Sequence, residues 1–320
     1  MDKLDPPFQL AGRRVWVAGH RGMVGSALLR RLEREPCEIL TVGRDSVDLR
    51  RQSETEDWMA EAKPDVVLMA AARVGGIQAN QARPAEFLYD NLAIESNVIA
   101  TAHKTGVTRL LLLGSSCIYP RDAAQPMAEE ALLSGRLEPT NQWYAVAKIA
   151  GIKLCQAYRR QYDCNFIAAM PTNLYGPGDN FDLESSHVIP ALLRKIHEAK
   201  AADAPEVEIW GSGEPRREFL HVDDCADAVV HLLQHYGGEA HINVGCGEDL
   251  TIGSLAETIA TVVGYRGAFS YDRSKPDGAP RKLLDVGRLK ALGWSPRIGL
   301  EEGLRQTYAW YLEHAETVRR

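Results

Sequence analysis

Two groups of residues have the types and spacing to work on one chemistry. Tyr144 and Lys148 stand four apart in Tyr144-Ala145-Val146-Ala147-Lys148, with Ser115 upstream. About 120 residues earlier lies Gly19-His20-Arg21-Gly22-Met23-Val24-Gly25, directly after the apolar run Val15–Ala18. At i and i+4, Tyr144 and Lys148 share one face of a helix. A phenol with an unperturbed pKa near 10 exchanges protons poorly at neutral pH. A neighbouring ammonium is expected to lower that value. Ser115, at the end of a buried strand, can hydrogen-bond a substrate oxygen. Together the three read as a relay that protonates a carbonyl oxygen while a nicotinamide cofactor exchanges hydride. A core tyrosine beside a surface lysine is the plainer alternative, since this spacing is common by chance.

The glycine string reads as a dinucleotide cradle. Gly19, Gly22 and Gly25 let a turn tighten and let backbone N–H groups, including those of Met23 and Val24, approach a pyrophosphate at a helix N-terminus. A simple glycine-rich turn would look similar, but the strand–turn–helix context favours the cradle. An acidic side chain at the end of the second strand usually marks NAD binding. Here Val42-Gly43-Arg44 stands at that point, and Arg21 lies in the loop. Both arginines could hold a 2′-phosphate, so NADPH/NADP+ is expected. Asp45 follows Arg44, which leaves a solvated surface charge as the alternative for Arg44.

The elements that must position these residues alternate in the βαβ manner of a parallel sheet. Strands are expected over 13–18, 38–42, 65–70, 109–113 and 166–170, and helices over 23–35, 84–104 and 141–162. After Pro171 glycine and proline become denser, and shorter elements follow: helices over 187–200, 223–235, 251–263 and 299–313, and strands over 207–210, 242–244 and 268–271. The fold class is α/β: a Rossmann-type doubly wound parallel sheet with a smaller, interleaved C-terminal substrate lobe. Residues 1–174 plus about 218–244 are expected to form the NADP-binding domain, with 219–244 returning to its sheet. Residues about 175–217 plus 245–320 are expected to form the substrate-binding lobe.

Composition excludes several classes. With 320 residues, 45% hydrophobic, the chain can bury a substantial core. A net charge of −6 argues against a dedicated nucleic-acid binder. The N-terminal residues lack the apolar segment of a secretory signal, and no apolar run is long enough to span a bilayer, so a cytoplasmic location is expected. The six cysteines form no C-x-x-C pair, which fits reduced thiols and no structural metal site.

Longer strings carry a resemblance. Gly19–Ser26, Gly114-Ser115-Ser116-Cys117-Ile118-Tyr119-Pro120, Pro171-Thr172-Asn173-Leu174-Tyr175-Gly176-Pro177, Ser186–Leu193, Arg217-Glu218-Phe219-Leu220-His221-Val222-Asp223-Asp224, Lys275-Pro276-Asp277-Gly278 and Arg281–Asp285 resemble the GDP-L-fucose synthase family of extended short-chain dehydrogenase/reductases. The resemblance spans nearly the whole chain. It implies conversion of GDP-4-keto-6-deoxy-D-mannose to GDP-L-fucose, by inversion at C3 and C5 and NADPH-dependent reduction at C4. It implies Cys117 as base and His187 as acid for the inversions, with His187 also near the cofactor. Taken alone, Cys117 reads more often as an inert buried thiol and His187 as a helix-start polar residue. The resemblance also implies that Asn173, Val188, Lys195, Trp210, Arg217 and Lys282 hold the GDP-sugar, although Trp210 alone could be a core aromatic. Lys195 stands where the family can carry arginine, and lysine supplies charge there without a bidentate fork. A homodimer through helices 84–104 and 141–162 is implied too. One rival is an NAD-retaining nucleotide-sugar 4-epimerase or dehydratase, which would have no use for Cys117 with His187. The other is a non-catalytic dinucleotide-binding regulator; such proteins typically lose the tyrosine or the lysine.

Overall fold

The computed structural model describes residues 7–275 and 277–316, so the first six residues and Pro276 of the Lys275–Gly278 string lie outside the described residues. In chain order the elements are β1 (Arg14–Ala18), α1 (Met23–Leu32), β2 (Glu38–Leu40), α2 (Gln52–Ala62), β3 (Val66–Met69), α3 (Ile77–Ala82), α4 (Pro84–Lys104), β4 (Arg109–Leu113), α5 (Gln142–Tyr162) and β5 (Phe166–Pro171). Then come β6 (Asn173–Tyr175), α6 (Val188–Ala201), β7 (Glu206–Trp210), β8 (Arg216–Arg217), β9 (Phe219–His221), α7 (Val222–His235), β10 (Ile242–Val244), β11 (Leu250–Thr251), α8 (Ile252–Val263), β12 (Ala268–Asp272), β13 (Arg281–Lys282), α9 (Gly287–Ala291) and α10 (Leu300–Glu313).

Strands β3 and β5 are apolar along their whole length, and β4 is apolar from Leu110 onward, the pattern of strands covered on both faces. They lie in a six-stranded sheet of order β2-β1-β3-β4-β5-β10, with every pairing parallel. The order reverses between β1 and β3, where open α/β sheets place their ligand crevice. Alternation along β1 divides the packing. Val15 and Val17 join Leu28 and Leu32 of α1 and Val229 and Leu233 of α7 in one core. Trp16 and Ala18 join Met59 of α2, Val98 and Ile99 of α4 and Ile152 of α5 in the other. A third core gathers Leu193 and Ile196 of α6, Ile259 of α8 and Leu304 and Tyr311 of α10. Leu289 and Trp294 pack into the first core, and Leu284 and Val286 into the second, so this C-terminal segment leans on the large sheet.

The structure corrects three details. Phe219–His221 does not join the large sheet; β9 pairs with β6, and the return is made by α7 and β10. Helix α2 lay outside the expected elements, because only Thr55 and Met59 of its eleven residues are buried and its apolar stripe is weak. Helix α3, six residues long, is too short to show a period.

Leu111, fully buried in the middle of β4, tests the sheet core. Leu111→Ala should lower stability by about 2–5 kcal/mol in urea denaturation.

Candidate active site

The carboxyl ends of the parallel strands deliver loops to one edge. The loop after β3 is tethered to α4 by Asn91, whose amide accepts from Arg73 N at 2.8 Å and donates to Arg73 O at 3.0 Å. Gly76 N donates to Ser185 O at 3.0 Å, which joins the same loop to the segment leading into α6. Residues distant in the chain are thereby collected around the end of β1.

The three cradle glycines differ in their reasons. Gly19 has φ +86°, and a Cβ there would lie 2.7 Å from the backbone of Ala71. A Cβ at Gly25 would lie 2.1 Å from Gly19 O, so this glycine lets α1 close onto the turn. A Cβ at Gly22 would meet only Gly19 O, at an ordinary 3.5 Å. The fold therefore does not require a glycine at position 22; the missing side chain leaves open the face a pyrophosphate would cross. Helix α1 has no side-chain cap and no acidic residue in its first turn, so the amides of Met23 and Val24 are available to an anion. His20 Nδ1 is buried and unpartnered beside them. Arg21 crosses to the end of β2: its guanidinium would touch a Cβ at Gly43, and it pairs with Asp45 at 2.8 Å. Arg44 is exposed. The Asp45 carboxylate is thus occupied by Arg21, and Asp48 by Arg50 at 2.5 Å, so the cradle fits a dinucleotide with a phosphorylated ribose.

Tyr144 and Lys148 lie on one face of α5, with the Lys148 ammonium 5.8 Å from the Tyr144 ring centre. The Ser115 hydroxyl stands near enough to the Tyr144 oxygen to favour its ionised form and accepts from Cys117 N at 3.3 Å. Lys148 is not a free ammonium. Its Nζ pairs with Glu95 Oε1 of α4 at 2.8 Å and donates to Leu113 O at 3.0 Å. A lowered tyrosine pKa was expected; instead burial pushes the phenol up to about 12, with Cys117 and Glu95 adding to the rise and Lys148 and Ser115 opposing it. Desolvation of the anion outweighs the lysine, and Glu95 cancels part of the lysine's field.

Cys117 sits on the 3-10 turn Ser116–Ile118 that follows β4. Its sulfur accepts from Asn141 Nδ2 at 3.1 Å and lies 4.0 Å from Lys282 Nζ of β13. Asn141 occupies the N-cap position of α5 yet makes no cap, because its amide is turned to this sulfur. Arg217 stands close enough for the Cys117, Glu138 and Asp277 charges to act on it; burial is the larger influence and draws its guanidinium down. His187 begins α6, open to solvent but recessed among neighbouring atoms. Desolvation holds its imidazole below the ordinary range, which favours the neutral form with one ring N–H left to donate.

Farther out, Trp210 at the end of β7 is 43% exposed, so it is not a core aromatic. Lys195 lies 4.7 Å from its ring centre and Lys275 lies 5.4 Å away. Val188 is half-buried at the first turn of α6, and Asn173 is held by its donation to Glu218 O at 2.8 Å. The expected residues therefore fall into a cradle, a reaction centre and an outer cationic and aromatic platform. Among the described residues, no cluster of three or more metal-ligating side chains occurs.

With the site described, comparison with known proteins is informative. The NAD dependent epimerase/dehydratase family matches residues 15–245. A GDP-L-fucose synthase of Sinorhizobium fredii is 57% identical over 97% of this chain and 98% of its own length. A GDP-L-fucose synthase of Escherichia coli is 55% identical over 97% of this chain and its whole length. A solved GDP-L-fucose synthetase of Naegleria fowleri bound to NADP superposes with a TM-score of 0.91 at 28% identity, covering 99% of both chains. The chain belongs to the GDP-L-fucose synthase branch of the epimerase/dehydratase family.

Three residues of this branch member escaped the reading of its motifs. Glu95 is a charged residue on a long helix and no motif includes it, yet it is 1% exposed. Asn141 opens the expected helix, and nothing local marks it as a partner of the Cys117 sulfur. Asp179 follows Gly178, whose position is 3.6 Å from Ser26 Oγ of α1 by its Cβ direction. The Asp179 carboxyl is pushed up to about 7 by burial, and its Oδ2 has no partner. The available signal for Glu95 was Gly151, a glycine inside a helix where alanine would be better by about 1 kcal/mol.

Gly22 and Gly25 differ in what a side chain would meet, and their variants should differ accordingly. Gly22→Ala should keep the melting temperature near that of the parent while weakening nicotinamide dinucleotide binding at least tenfold, about 1.4 kcal/mol. Gly25→Ala should lose more than about 2 kcal/mol of stability, because its Cβ meets backbone. Thermal melts and equilibrium titration check both.

Proposed function

We propose that the chain converts GDP-4-keto-6-deoxy-D-mannose to GDP-L-fucose, inverting C3 and C5 and then reducing the C4 ketone with NADPH. The observation that carries this reading is the placement of a second acid/base set at the reductase centre. Cys117 is hydrogen-bonded through its backbone to Ser115 and through its sulfur to Asn141, beside Tyr144. A nucleotide-sugar 4-epimerase that retains NAD would have no work for that thiol. The intact Tyr144, Lys148 and Ser115 likewise speak for catalysis rather than dinucleotide sensing. Full-length likeness to named GDP-L-fucose synthases, and to a relative solved with NADP, supports the substrate and the cofactor.

Each side chain then has a task. Gly19, Gly22 and Gly25, with the amides of Met23 and Val24, receive the pyrophosphate, and Arg21 and Arg44 receive the 2′-phosphate. NADPH, when bound, supplies the hydride for the C4 carbonyl. Lys148 orients the ribose and Tyr144, and His187 closes the cofactor side. For the inversions, Cys117 removes the proton alpha to the ketone and His187 delivers one to the opposite face, so the enolate is never left unmatched. For the reduction, Ser115 holds the ketone oxygen and Tyr144 protonates it. Asn173, Val188, Lys195, Trp210, Arg217 and Lys282 hold the GDP-sugar, with Arg217 and Lys282 nearest Cys117.

The nucleotide domain comprises residues 1–174 and about 218–244, and the substrate lobe about 175–217 and 245–320, anchored on the large sheet by Leu289 and Trp294. The homodimer forms through α4 and α5; exposed Tyr89, Trp143 and Val146 support that surface. A cytoplasmic site of action is supported by six free thiols. Among the described residues, no helix is long and apolar enough to cross a membrane.

Incubation with GDP-4-keto-6-deoxy-D-mannose and NADPH in heavy water, with NMR of the product, tests the scheme. Tyr144→Phe should stop reduction but keep deuterium entry at C3 and C5. Cys117→Ser should lose about 10²–10⁴-fold of that exchange. Near-normal GDP-L-fucose formation by Cys117→Ser would remove the thiol from the mechanism.

Cofactor choice is tested separately. Arg21→Ala should raise KM for NADPH at least tenfold, about 1.4 kcal/mol, and leave KM for NADH nearly unchanged. Arg44→Ala should act in the same direction. Equal kcat/KM for the two cofactors in the parent would overturn the preference.

A further inference from the structure

We propose that Glu95 is a positioning residue for the reduction: its carboxylate is the buried counter-charge that keeps the Tyr144–Lys148 unit fully protonated, and so holds the phenol ready to donate. This deepens the functional reading above and rests on it, because only a reductive step needs tyrosine as the donor.

The geometry is built for the pair. The Lys148 and Glu95 side chains are each 2% exposed and meet at 2.8 Å. Glu95 reaches this point because α5 carries glycine at position 151, where a Cβ would lie 2.3 Å from Glu95 Oε2. Any other residue at 151 would drive the carboxylate away from the ammonium. The remaining donation of Lys148, to Leu113 O, is to an uncharged group, so Glu95 is the carboxylate that answers the lysine; burial pushes its carboxyl up, Lys148 opposes the rise, and the Cys155 thiol of α5 also faces it.

The charges facing Tyr144 come from three elements. Lys148 acts from its own helix α5, Glu95 from α4 and Cys117 from the turn after β4, beside uncharged Ser115. Phe87 of α4 covers it edge-on, at 6.5 Å between ring centres. A lone ammonium beside a phenol favours the phenolate, which suits a base that takes a proton from an alcohol. An ammonium paired with a carboxylate leaves a nearly neutral unit, and the phenol keeps its proton. In the reduction the Tyr144 O–H bond breaks and the proton goes to the C4 oxygen as two electrons arrive with the hydride of NADPH. The phenolate left behind is reprotonated from solvent.

Removal of the Glu95 charge therefore has one sign whichever partner responds. The unit then carries a buried positive charge, and its first proton, from phenol or ammonium, leaves at lower pH. Because the two groups are coupled, the measured value belongs to the pair.

The experiment uses Glu95→Gln, which keeps shape and removes charge, and Glu95→Asp, which keeps charge. The pH profile of ketone reduction by the parent and both variants is followed with NADPH, and deuterium exchange at C3 and C5 is followed in parallel. The titration of Tyr144 in protein free of cofactor is read from tyrosinate absorbance, as the difference from the Tyr144→Phe version of each chain. Glu95→Gln should move the alkaline limb of reduction down by about 1–3 pH units. It should advance the cofactor-free titration in the same direction and leave the exchange rate unchanged. Glu95→Asp should stay near the parent in both limbs. Unmoved limbs in folded Glu95→Gln, or an equal shift in Glu95→Asp, would overturn the proposal. If Glu95→Gln does not fold, Gly151→Ala, whose Cβ displaces the Glu95 carboxylate, takes its place: a lowered alkaline limb and an advanced titration uphold the proposal, and unmoved limbs overturn it. A parent chain that reduces no ketone would instead sink the functional reading, while the titration would still judge Glu95.

Discussion

A lysine only 2% exposed has to be met by an opposite charge or give up its proton, and the active site is arranged around that requirement. Glu95 meets Lys148 from α4, so the two longest helices are held together across the second core by an ion pair as well as by Ile99 and Ile152. The ammonium also donates to Leu113 O, the last residue of β4, which sets α5 against the edge of the sheet. From that anchor the rest of the centre follows. Tyr144 lies one turn before Lys148, Asn141 lies one turn before Tyr144, and the sulfur of Cys117 lies beneath the Asn141 amide. Losing one partner of such a pair leaves a buried charge without compensation, a cost of about 3–5 kcal/mol. The same contact therefore acts on fold and chemistry together.

Much of this was legible in the residues. Parallel strands covered on both faces must be apolar throughout, so Leu110–Leu113 and Phe166–Met170 announced themselves. Helix α4 begins at Pro84, where proline's missing N–H costs nothing, and its bounds were read correctly. The i and i+4 spacing of Tyr144 and Lys148 needs only a helix to become a shared face. The cradle needs only a strand, a turn and a helix. In these cases a short-range period or a covalent constraint carries the information.

What stayed hidden depends on partners far along the chain. Lys282 reaches Cys117 across 165 residues, and no local period encodes that meeting. Glu95 is polar within a helix, and only the lysine opposite explains its burial. Strands of two or three residues, such as Arg216–Arg217 paired with both Leu250–Thr251 and Arg281–Lys282, are too short to alternate. Yet this small sheet carries Arg217 and Lys282 to the reaction centre. The expectation that Lys148 lowers the Tyr144 pKa failed for a related reason. Residue identity shows the ammonium, but neither the desolvation of the phenol nor the carboxylate behind the lysine.

The electrostatics of the cleft run against those of the whole chain. The net charge is −6, yet Lys195, Lys275, Arg217 and Lys282 line the path from Trp210 to Cys117. Burial weakens the hold of Lys195 and Arg217 on their protons, which is the mark of cations awaiting an anion. A diphosphate laid along this path would supply it. Its charge also raises the proton affinity of nearby groups, including His187, whose imidazole is biased toward neutrality when the cleft contains only protein. A ligand carrying a diphosphate would thus help to set the protonation of His187. Tyr144 needs no such help, because its proton is already held by burial and by the paired charge behind Lys148.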